Sequence, residues 1–406
     1  MRGERKMSIQ FANRTEQMKA SEIRESYKLM DVPGMISLSS GSPDPSLYPM
    51  DQVKQATMAV LDQYGTTALS YSATDGYDPL REKIAQRMWT KAQVRCSMEN
   101  ILIMSGSQQA LEFSAKIFIN EGDYIACETP SYMGAFNAFA PYLPKYASVP
   151  TDEFGMLPEE LDKILAENKK VKMIYVIPNF QNPTGHTWSL ERRKAFMEVV
   201  NKYEIPVIED DPYGELRYEG EALPSLKSMD TKNLVIYAGS FSKILAPGYR
   251  VAWICAAPEI VEKYMFAKQG ADLQAPSSAQ LEVDMFMEMF DLDEHVKKIC
   301  AAYKHKRDVM LQMMEENFPD CVTWNKPEGG LFIWVTLPEG INSKDILKVC
   351  LENRVMFVTG SMFYPNGGVE NTFRLNFSWM NEEDIKEGIR RMGVAIKQAL
   401  EMLQQK

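Results

Sequence analysis

The chain has 406 residues, which is long enough for one large domain and a smaller one, each with its own hydrophobic core. Its 45 Lys and Arg residues against 55 Asp and Glu residues leave a formal charge of -10, so no positive surface that would gather nucleic acid or anionic lipid is expected. No uncharged apolar run is long enough to span a bilayer, and the N-terminus lacks the apolar core of a signal peptide. The composition favours a cytoplasmic protein that acts on small molecules and binds neither nucleic acid nor membranes.

The cysteines and histidines are not spaced as metal ligands. The six cysteines form no CxxC pair, and none of the three histidines has a partner at a metal-ligand spacing. We therefore expect free thiols and no metal site.

From about residue 100, short apolar runs alternate with amphipathic stretches. The runs ILIMSG, DYIACETP, VKMIYVIP, IPVIEDD, NLVIYAGS and YRVAWICA predict buried strands, and stretches such as LERRKAFMEVVNKY predict crossover helices. Strands and helices in this order indicate an α/β fold with a mostly parallel sheet. After about residue 290, a long helix, the strand-like FIWVTLP, VMFVTG and TFRLNFS, and a final helix predict a smaller α+β domain. We expect a large domain over 49–290 and a small domain over 291–406, with an N-terminal segment over 1–48 that joins the small domain.

The motif SFSKILAPGYR places one lysine, Lys243, between two serines and an arginine. A lysine can form a Schiff base with an aldehyde, while Ser240, Ser242 and Arg250 could hold a phosphate beside it. Pyridoxal phosphate carries both groups. The preceding strand would end close to Lys243, where α/β folds place their sites. An exposed lysine in a serine-containing loop is the alternative.

Two further segments carry polar residues at predicted strand ends. Ser107 and Gln108 follow ILIMSG at a predicted helix N-terminus, which favours a phosphate but is also typical of an ordinary helix cap. IPVIEDDPY ends in Asp210 and Asp211, with Tyr213 close behind. A buried carboxylate facing a pyridine nitrogen keeps that nitrogen protonated, although a helix cap or a magnesium site would use the same residues.

Asn182 and Arg374 are the remaining candidates from the residues alone. Asn182 precedes a proline in IPNFQNPTG, which extends its backbone and exposes its amide to a ligand, or simply forms a turn. Arg374 lies in the apolar strand TFRLNFS, where it could clamp a substrate carboxylate or form a structural salt bridge.

Together these pieces resemble the pyridoxal-phosphate-dependent aminotransferases of fold type I (class I/II), in the branch that contains aminoadipate, kynurenine and aromatic aminotransferases. The resemblance covers nearly the whole chain and rests on the order of SGSQQAL, TPSYMGAF, NPTG, EDDPY, SFSKILAPGYR, PEGGLFIW and FRLNFS. It implies a large domain with a mostly parallel seven-stranded sheet flanked by helices, and a smaller α+β domain.

The resemblance also assigns roles to individual residues. Lys243 is implied to be the Schiff-base lysine, and Asp210 the partner of the pyridine nitrogen. Asn182 and Tyr213 would hold the phenolic oxygen of the cofactor, and Tyr132 would stack on its ring. The implied phosphate ligands are Ser107, Gln108, Ser240, Ser242, Arg250 and, from the neighbouring subunit of a homodimer, Tyr71.

For the substrates, the resemblance implies that Arg374 binds the α-carboxylate, with the backbone near Gly41 closing over it. Arg24 resembles an arginine that approaches a distal carboxylate, although a surface arginine fits the sequence as well. Between Gln269 and Val296 there is no Lys or Arg, which disfavours a dedicated aspartate enzyme. The implied reaction moves the amino group of an aromatic, 2-aminoadipate-like or varied L-amino acid to a 2-oxo acid such as 2-oxoglutarate, by a ping-pong mechanism.

Two other functions share this fold. A carbon-sulfur lyase would use the same lysine, because the pocket selects which bond breaks. A non-catalytic sensor is a further alternative, but sensors of this kind carry a DNA-binding domain ahead of the aminotransferase-like region, and the resemblance begins within about thirty residues of Met1. We expect an enzyme rather than a sensor.

Overall fold

The computed structural model describes residues 9–18 and 32–404 of the chain. After a short first strand, β1 (Ile36–Ser37), eight strands form the main sheet. They are β2 (Ile101–Met104), β3 (Tyr124–Thr129), β4 (Lys145–Asp152), β5 (Gly155–Met156), β6 (Val171–Val176), β7 (Val207–Asp210), β8 (Val235–Ser240) and β9 (Ala252–Cys255). Their order across the sheet is β2-β9-β8-β7-β6-β3-β4-β5.

The prediction of a mostly parallel sheet is confirmed. Strands β4, β3, β6, β7 and β8 run parallel, and β9 runs antiparallel between β8 and β2. The sheet has eight strands rather than seven because the two-residue β5 folds back on β4. A strand of two residues is too short to leave a periodic pattern in the sequence.

Helices cover both faces of this sheet, which is why β2, β7, β8 and β9 are buried along their whole length. The helices of the large region are α1 (Met50–Ala68), α2 (Asp78–Ala92), α3 (Ser107–Phe118), α4 (Met133–Phe139), α5 (Pro158–Glu167), α6 (Leu190–Tyr203), α7 (Pro258–Gln269) and α8 (Ser277–Met289). Helix α6 shows how the local sequence sets the start of a helix and its buried face. Its cap Ser189 accepts the Arg192 N–H, and Phe196, Met197 and Val200 are buried.

The smaller region is built on a four-stranded antiparallel sheet in the order β10-β11-β14-β13. Its elements are α9 (Leu292–Asn317), β10 (Thr323–Trp324), β11 (Phe332–Thr336), α10 (Ser343–Glu352), β12 (Val355–Met356), β13 (Val358–Thr359), β14 (Thr372–Asn376) and α11 (Glu382–Gln404). Strand β12 pairs in parallel with β1, so the chain around residues 36–37 is tied to this region. Within the described residues, no helix is both long and apolar enough to cross a membrane.

Candidate active site

A cavity of about 320 Å³ lies at the carboxyl ends of the central strands, beneath the segment that follows β1. Asp210 is the last residue of β7, Lys243 follows β8, and Ser107 opens α3 directly after β2. Parallel strands bring their carboxyl ends to one edge of the sheet, which is where ligands bind in open α/β folds. The predicted site residues within the described part of the chain line this cavity, with the exception of Tyr71.

The amine of Lys243 lies inside the cavity and donates a hydrogen bond of 2.8 Å to the Gly41 carbonyl. Burial, together with the guanidinium groups of Arg374 and Arg250, lowers the pKa of Lys243 to about 8. A substantial fraction of this amine is therefore neutral near pH 8, as a nucleophile or a base requires.

The Asp210 carboxyl is buried at the floor of the cavity. The Tyr175 hydroxyl donates to its Oδ2 at 2.9 Å, while Oδ1 has no hydrogen-bond partner among the described residues. Burial raises the pKa of Asp210 to about 7, with the Tyr175 hydrogen bond opposing the rise. An orphaned, buried carboxylate oxygen of this kind fits a cationic N–H donor from a ligand, which would satisfy it and restore its charge.

Asn182 connects the two sides of the cavity. Its Oδ1 accepts from Arg374 Nη1 at 2.8 Å, and its Nδ2 donates to the Tyr213 hydroxyl at 3.5 Å. Arg374 also donates through Nη2 to the Ser39 carbonyl at 2.8 Å. The guanidinium is thus held between the Asn182 loop and the segment that roofs the cavity.

The loop that carries Asn182 is fastened by a buried glutamate that the sequence did not single out. Glu128, near the end of β3, accepts the backbone N–H of Ile177 at 2.9 Å and the indole N–H of Trp188 at 2.9 Å. These residues flank the Asn182 loop on both sides. Burial raises the pKa of Glu128 to about 7, while the hydrogen bonds it accepts favour its charged form.

Two aromatic rings hold Arg374 from the smaller region. Its guanidinium carbon lies 4.2 Å from the centre of the Phe332 ring and 5.3 Å from that of Phe363. Phe332 also meets Tyr213 edge to face, with ring centres 5.8 Å apart. The sequence analysis named neither phenylalanine as a site residue, because an aromatic residue in an apolar segment gives no signal beyond core packing. Phe332 does lie within the recognised motif PEGGLFIW.

One end of the cavity lies at the N-terminus of α3. Ser107 begins the helix, and the Gln108 amide donates to the Gly134 carbonyl at 2.7 Å. On the opposite side, the Ser242 backbone N–H donates a hydrogen bond to the Ser240 hydroxyl at 3.0 Å. Arg250 Nη2 donates to the Ser105 carbonyl at 3.5 Å. Free N–H groups at a helix start, hydroxyls and a guanidinium form a cradle for an anion.

Gly106 makes room for that cradle. It adopts a φ of +89°, and a Cβ at this position would lie 2.0 Å from Arg250 Nη2. Only glycine combines this backbone conformation with such close approach of a guanidinium. The sequence analysis did not name this glycine, although it directly precedes Ser107.

Tyr132 lies over the start of α4, where a Cβ on Gly134 would come within 2.3 Å of its ring. Its ring lines the cavity beside Asn182 and Asp210. Tyr71, in contrast, does not line the cavity, and its side chain is 88% exposed on the surface of this subunit. Arg24 lies outside the residues that the structure describes.

The family model for aminotransferase class I and II matches residues 33–392, which is most of the chain. The chain belongs to this family. This aminotransferase is 43% identical over 394 residues to aromatic-amino-acid aminotransferase 1 from Thermococcus litoralis, covering 96% of this chain and 94% of that protein. It is 39% identical to 2-aminoadipate transaminase from Thermus thermophilus, covering 97% of this chain and 98% of the relative.

A solved structure shows the same architecture. The kynurenine aminotransferase of Pyrococcus horikoshii, in complex with PMP, superposes with a TM-score of 0.92 at 42% identity, and the match covers 96% of this chain and 97% of that one. Fold type I, amino-group transfer and pyridoxal phosphate as cofactor are thereby confirmed for this aminotransferase.

The residues present fit pyridoxal phosphate. The cofactor needs an amine for its aldehyde, an anion for its ring nitrogen and a cradle for its phosphate. Lys243, the unpartnered Oδ1 of Asp210 and the cradle at Gly106 supply these groups within one cavity.

Proposed function

We propose that this aminotransferase moves the amino group of an L-amino acid, aromatic, 2-aminoadipate-like or from a broad range, to a 2-oxo acid such as 2-oxoglutarate by a ping-pong mechanism. The observation that carries the proposal is the arrangement of Lys243, Asp210 and Arg374 around one cavity. Bound pyridoxal phosphate supplies a conjugated, electron-withdrawing ring that weakens the bonds to the substrate α-carbon.

The residues divide the remaining work. Arg374, braced by Asn182 and Phe332, binds the α-carboxylate of either substrate with its two-pronged guanidinium. Lys243 would remove the substrate α-proton and hold it for return, and its lowered pKa suits that exchange. Asp210 would pair with the pyridine nitrogen of the cofactor and favour its protonated form, and Tyr213 with Asn182 would hold the phenolic oxygen.

The cations that line the cavity, within the described residues, are Lys243, Arg250 and Arg374. Each has one of the roles above, which leaves none among them for a distal carboxylate. Donors with apolar or aromatic side chains need no such cation, and Arg24 provides one for 2-oxoglutarate or a 2-aminoadipate-like donor.

The protein acts as a homodimer with its sites at the subunit interface. Helix α1 supports this, since Met50, Met58 and Leu61 lie exposed on one face of it, and Leu69 follows at 80% exposure. A row of exposed apolar side chains is typical of an association surface. The exposed Tyr71 beside it reaches the phosphate cradle of the neighbouring subunit.

The test is a panel of L-amino acids incubated with the purified holoenzyme, with and without 2-oxoglutarate, while 2-oxo acid products and glutamate are measured. In multiple-turnover reactions, we expect 2-oxo acid products to accumulate only when 2-oxoglutarate is present. Double-reciprocal plots at several concentrations of the second substrate should give parallel lines. The variant Lys243→Ala should give no product. Pyruvate with ammonia or sulfide, formed without a 2-oxo acid, would identify a lyase instead.

A further inference from the structure

Lys268, in the last turn of α7, is a buried lysine that the chemistry above does not use. Its side chain has no solvent exposure. Burial lowers the pKa of Lys268, and its ion pair with Asp272 opposes this. A buried charge costs free energy unless it is paired and hydrogen-bonded, and the Asp272 side chain that pairs with Lys268 is itself 29% exposed. A lysine held in this way invites a more specific explanation than stability.

The partners of Lys268 converge on the turn that precedes α3. Its ammonium group donates to Gln109 Oε1 at 2.9 Å and contacts both carboxylate oxygens of Asp272 at 3.0 Å. It also approaches the Ser105 hydroxyl at 3.4 Å. One cation thus joins three side chains around a single turn.

These side chains are joined to one another as well. The Ser105 hydroxyl donates to Asp272 at 2.6 Å, the Gln109 amide donates to Asp272 at 2.8 Å, and the Ser105 backbone N–H donates to Gln109 Oε1 at 2.9 Å. Ser105 is therefore held through both its backbone and its side chain. Its own carbonyl faces Arg250 Nη2 at 3.5 Å.

Ser105 stands immediately before Gly106 and Ser107, which form the phosphate end of the cavity. Gly106 adopts a φ of +89°, and a Cβ at this position would lie 2.0 Å from Arg250 Nη2. The network around Lys268 contacts this turn through the backbone N–H and the hydroxyl of Ser105.

We infer that Lys268 is a positioning residue for the cofactor phosphate: through Asp272, Gln109 and Ser105 it holds the Ser105–Ser107 turn so that its N–H groups and Arg250 converge on the anion. The inference rests on the proposed phosphate cradle but assigns a role to a residue outside it. It makes a selective prediction, because only ligands that carry the phosphate depend on this turn.

The experiment compares the dissociation constants of the apoenzyme for pyridoxal phosphate and for pyridoxal, which lacks the phosphate, measured by the absorbance change on reaction with Lys243. In Lys268→Met we expect the constant for pyridoxal phosphate to rise about 10-fold, as for the loss of a hydrogen-bonding network with a charged member. The constant for pyridoxal should change less than about 2-fold. Lys263→Met is the matched control, since Lys263 lies on the same helix with its side chain 59% exposed, and its contacts with Glu262 and the Phe266 ring are separate from the Ser105 turn.

Ser105→Ala provides a second variant in which the Lys268–Asp272 ion pair is kept. It removes only the hydroxyl link to the turn, so the same selective weakening is expected to a smaller extent, with an unchanged thermal transition. Equal weakening for both ligands in both variants, or unchanged binding of both ligands, would overturn the inference. A wild-type protein that failed to bind either ligand would count against the proposed function instead.

Discussion

Lys243 titrates near neutral pH because it is buried beside two guanidinium groups. Its pKa is lowered to about 8, so the neutral amine becomes the major form above that pH, and the ammonium form below it. We expect the rate at which the apoenzyme captures pyridoxal to rise with pH and to level off above about pH 8, followed by stopped-flow absorbance.

In Arg374→Met, the midpoint of this pH profile should move upward, because one of the cations that disfavour the ammonium form is removed. A profile in the wild-type protein that still rises steeply at pH 10 would show that the environment of the lysine is not as described.

Asp210 offers a sharp comparison with its neighbour Glu209. Both carboxyls are buried, with pKa values raised to about 7, but Glu209 accepts the backbone N–H groups of Leu226 and Lys227 at 2.8 Å, whereas Asp210 faces the cavity. Asp210→Asn should slow single-turnover conversion of an amino acid by about 100-fold, since it removes a charge-assisted hydrogen bond and the stabilisation of a ring cation.

Glu209→Gln is the control for this change. It should lower the thermal transition without slowing the single-turnover rate to a comparable extent. Similar rate losses in the two variants would mean that disruption of β7, rather than the charge at Asp210, causes the effect.

Phe332 places its ring against Arg374 at 4.2 Å and meets the edge of Tyr213. Replacing it with leucine keeps an apolar side chain but removes the cation–π contact, which is worth about 1–2 kcal/mol at a desolvated site. We expect Phe332→Leu to raise KM for amino acid donors about 5-fold, with a smaller effect in Phe363→Leu, whose ring lies farther away at 5.3 Å. Steady-state kinetics measure both; a larger KM change in Phe363→Leu would contradict this assignment.

At the scale of elements, β2 is connected to α3 by a short turn that contains Gly106, directly before the first residue of the helix. Gly106 and Gly122 both adopt left-handed backbone conformations, with φ of +89° and +84°. A Cβ on Gly106 would collide with Arg250, whereas a Cβ on Gly122 would meet nothing within 4 Å. Substitution of each glycine by alanine therefore distinguishes the effect of backbone strain from the effect of displacing Arg250 in the phosphate cradle.

Both alanine variants should lose about 1 kcal/mol of stability, because alanine is strained at these angles. Only Gly106→Ala should also weaken binding of pyridoxal phosphate, measured by titration of the apoenzyme. Equal affinities in the two variants would show that Arg250 can move without cost to the cofactor.

For the whole molecule, the proposed role of Tyr71 involves a second subunit. Its loop is held on the surface by Gln274, which accepts the Ser72 N–H, and by Ser277, whose hydroxyl donates to the Ser70 carbonyl at 3.0 Å. Tyr71 is nevertheless exposed and does not line the cavity of its own subunit. A well-supported loop with an exposed aromatic tip suits a contribution in trans.

Mixed dimers test this directly. A dimer of one Lys243→Ala subunit and one Tyr71→Phe subunit contains, if Tyr71 acts in trans, one site with both native residues. We expect such mixed dimers, purified by two tags, to recover about half of the wild-type activity per dimer. The control is the activity of the Lys243→Ala homodimer and of the Tyr71→Phe homodimer, each measured alone. Failure of the mixed dimer to recover activity would show that Tyr71 does not contribute to the active site of the neighbouring subunit.

Much of the fold and of the candidate site follows from the sequence. Short apolar runs predicted the parallel strands, and the distinctive order of motifs placed Lys243, Asp210, Asn182 and Arg374 in one site. The domain limits at residues 48 and 290, the individual roles of the site residues including Arg24, the subunit arrangement and the cytoplasmic location stay predictions. The short strand β5 was missed because it depends on a local fold-back, not on a periodic pattern.

What the sequence determined by itself is membership of the aminotransferase family and the set of motif residues predicted to carry its chemistry, because motif content and order are local properties. The tertiary structure decided how those residues are tuned. Gly41 contacts Lys243 across the chain, as Ser39 and Phe332 contact Arg374, and Lys268 reaches the phosphate turn from another helix. A pKa or an orientation depends on burial and on neighbours that are distant in the chain, and only folding brings those neighbours together.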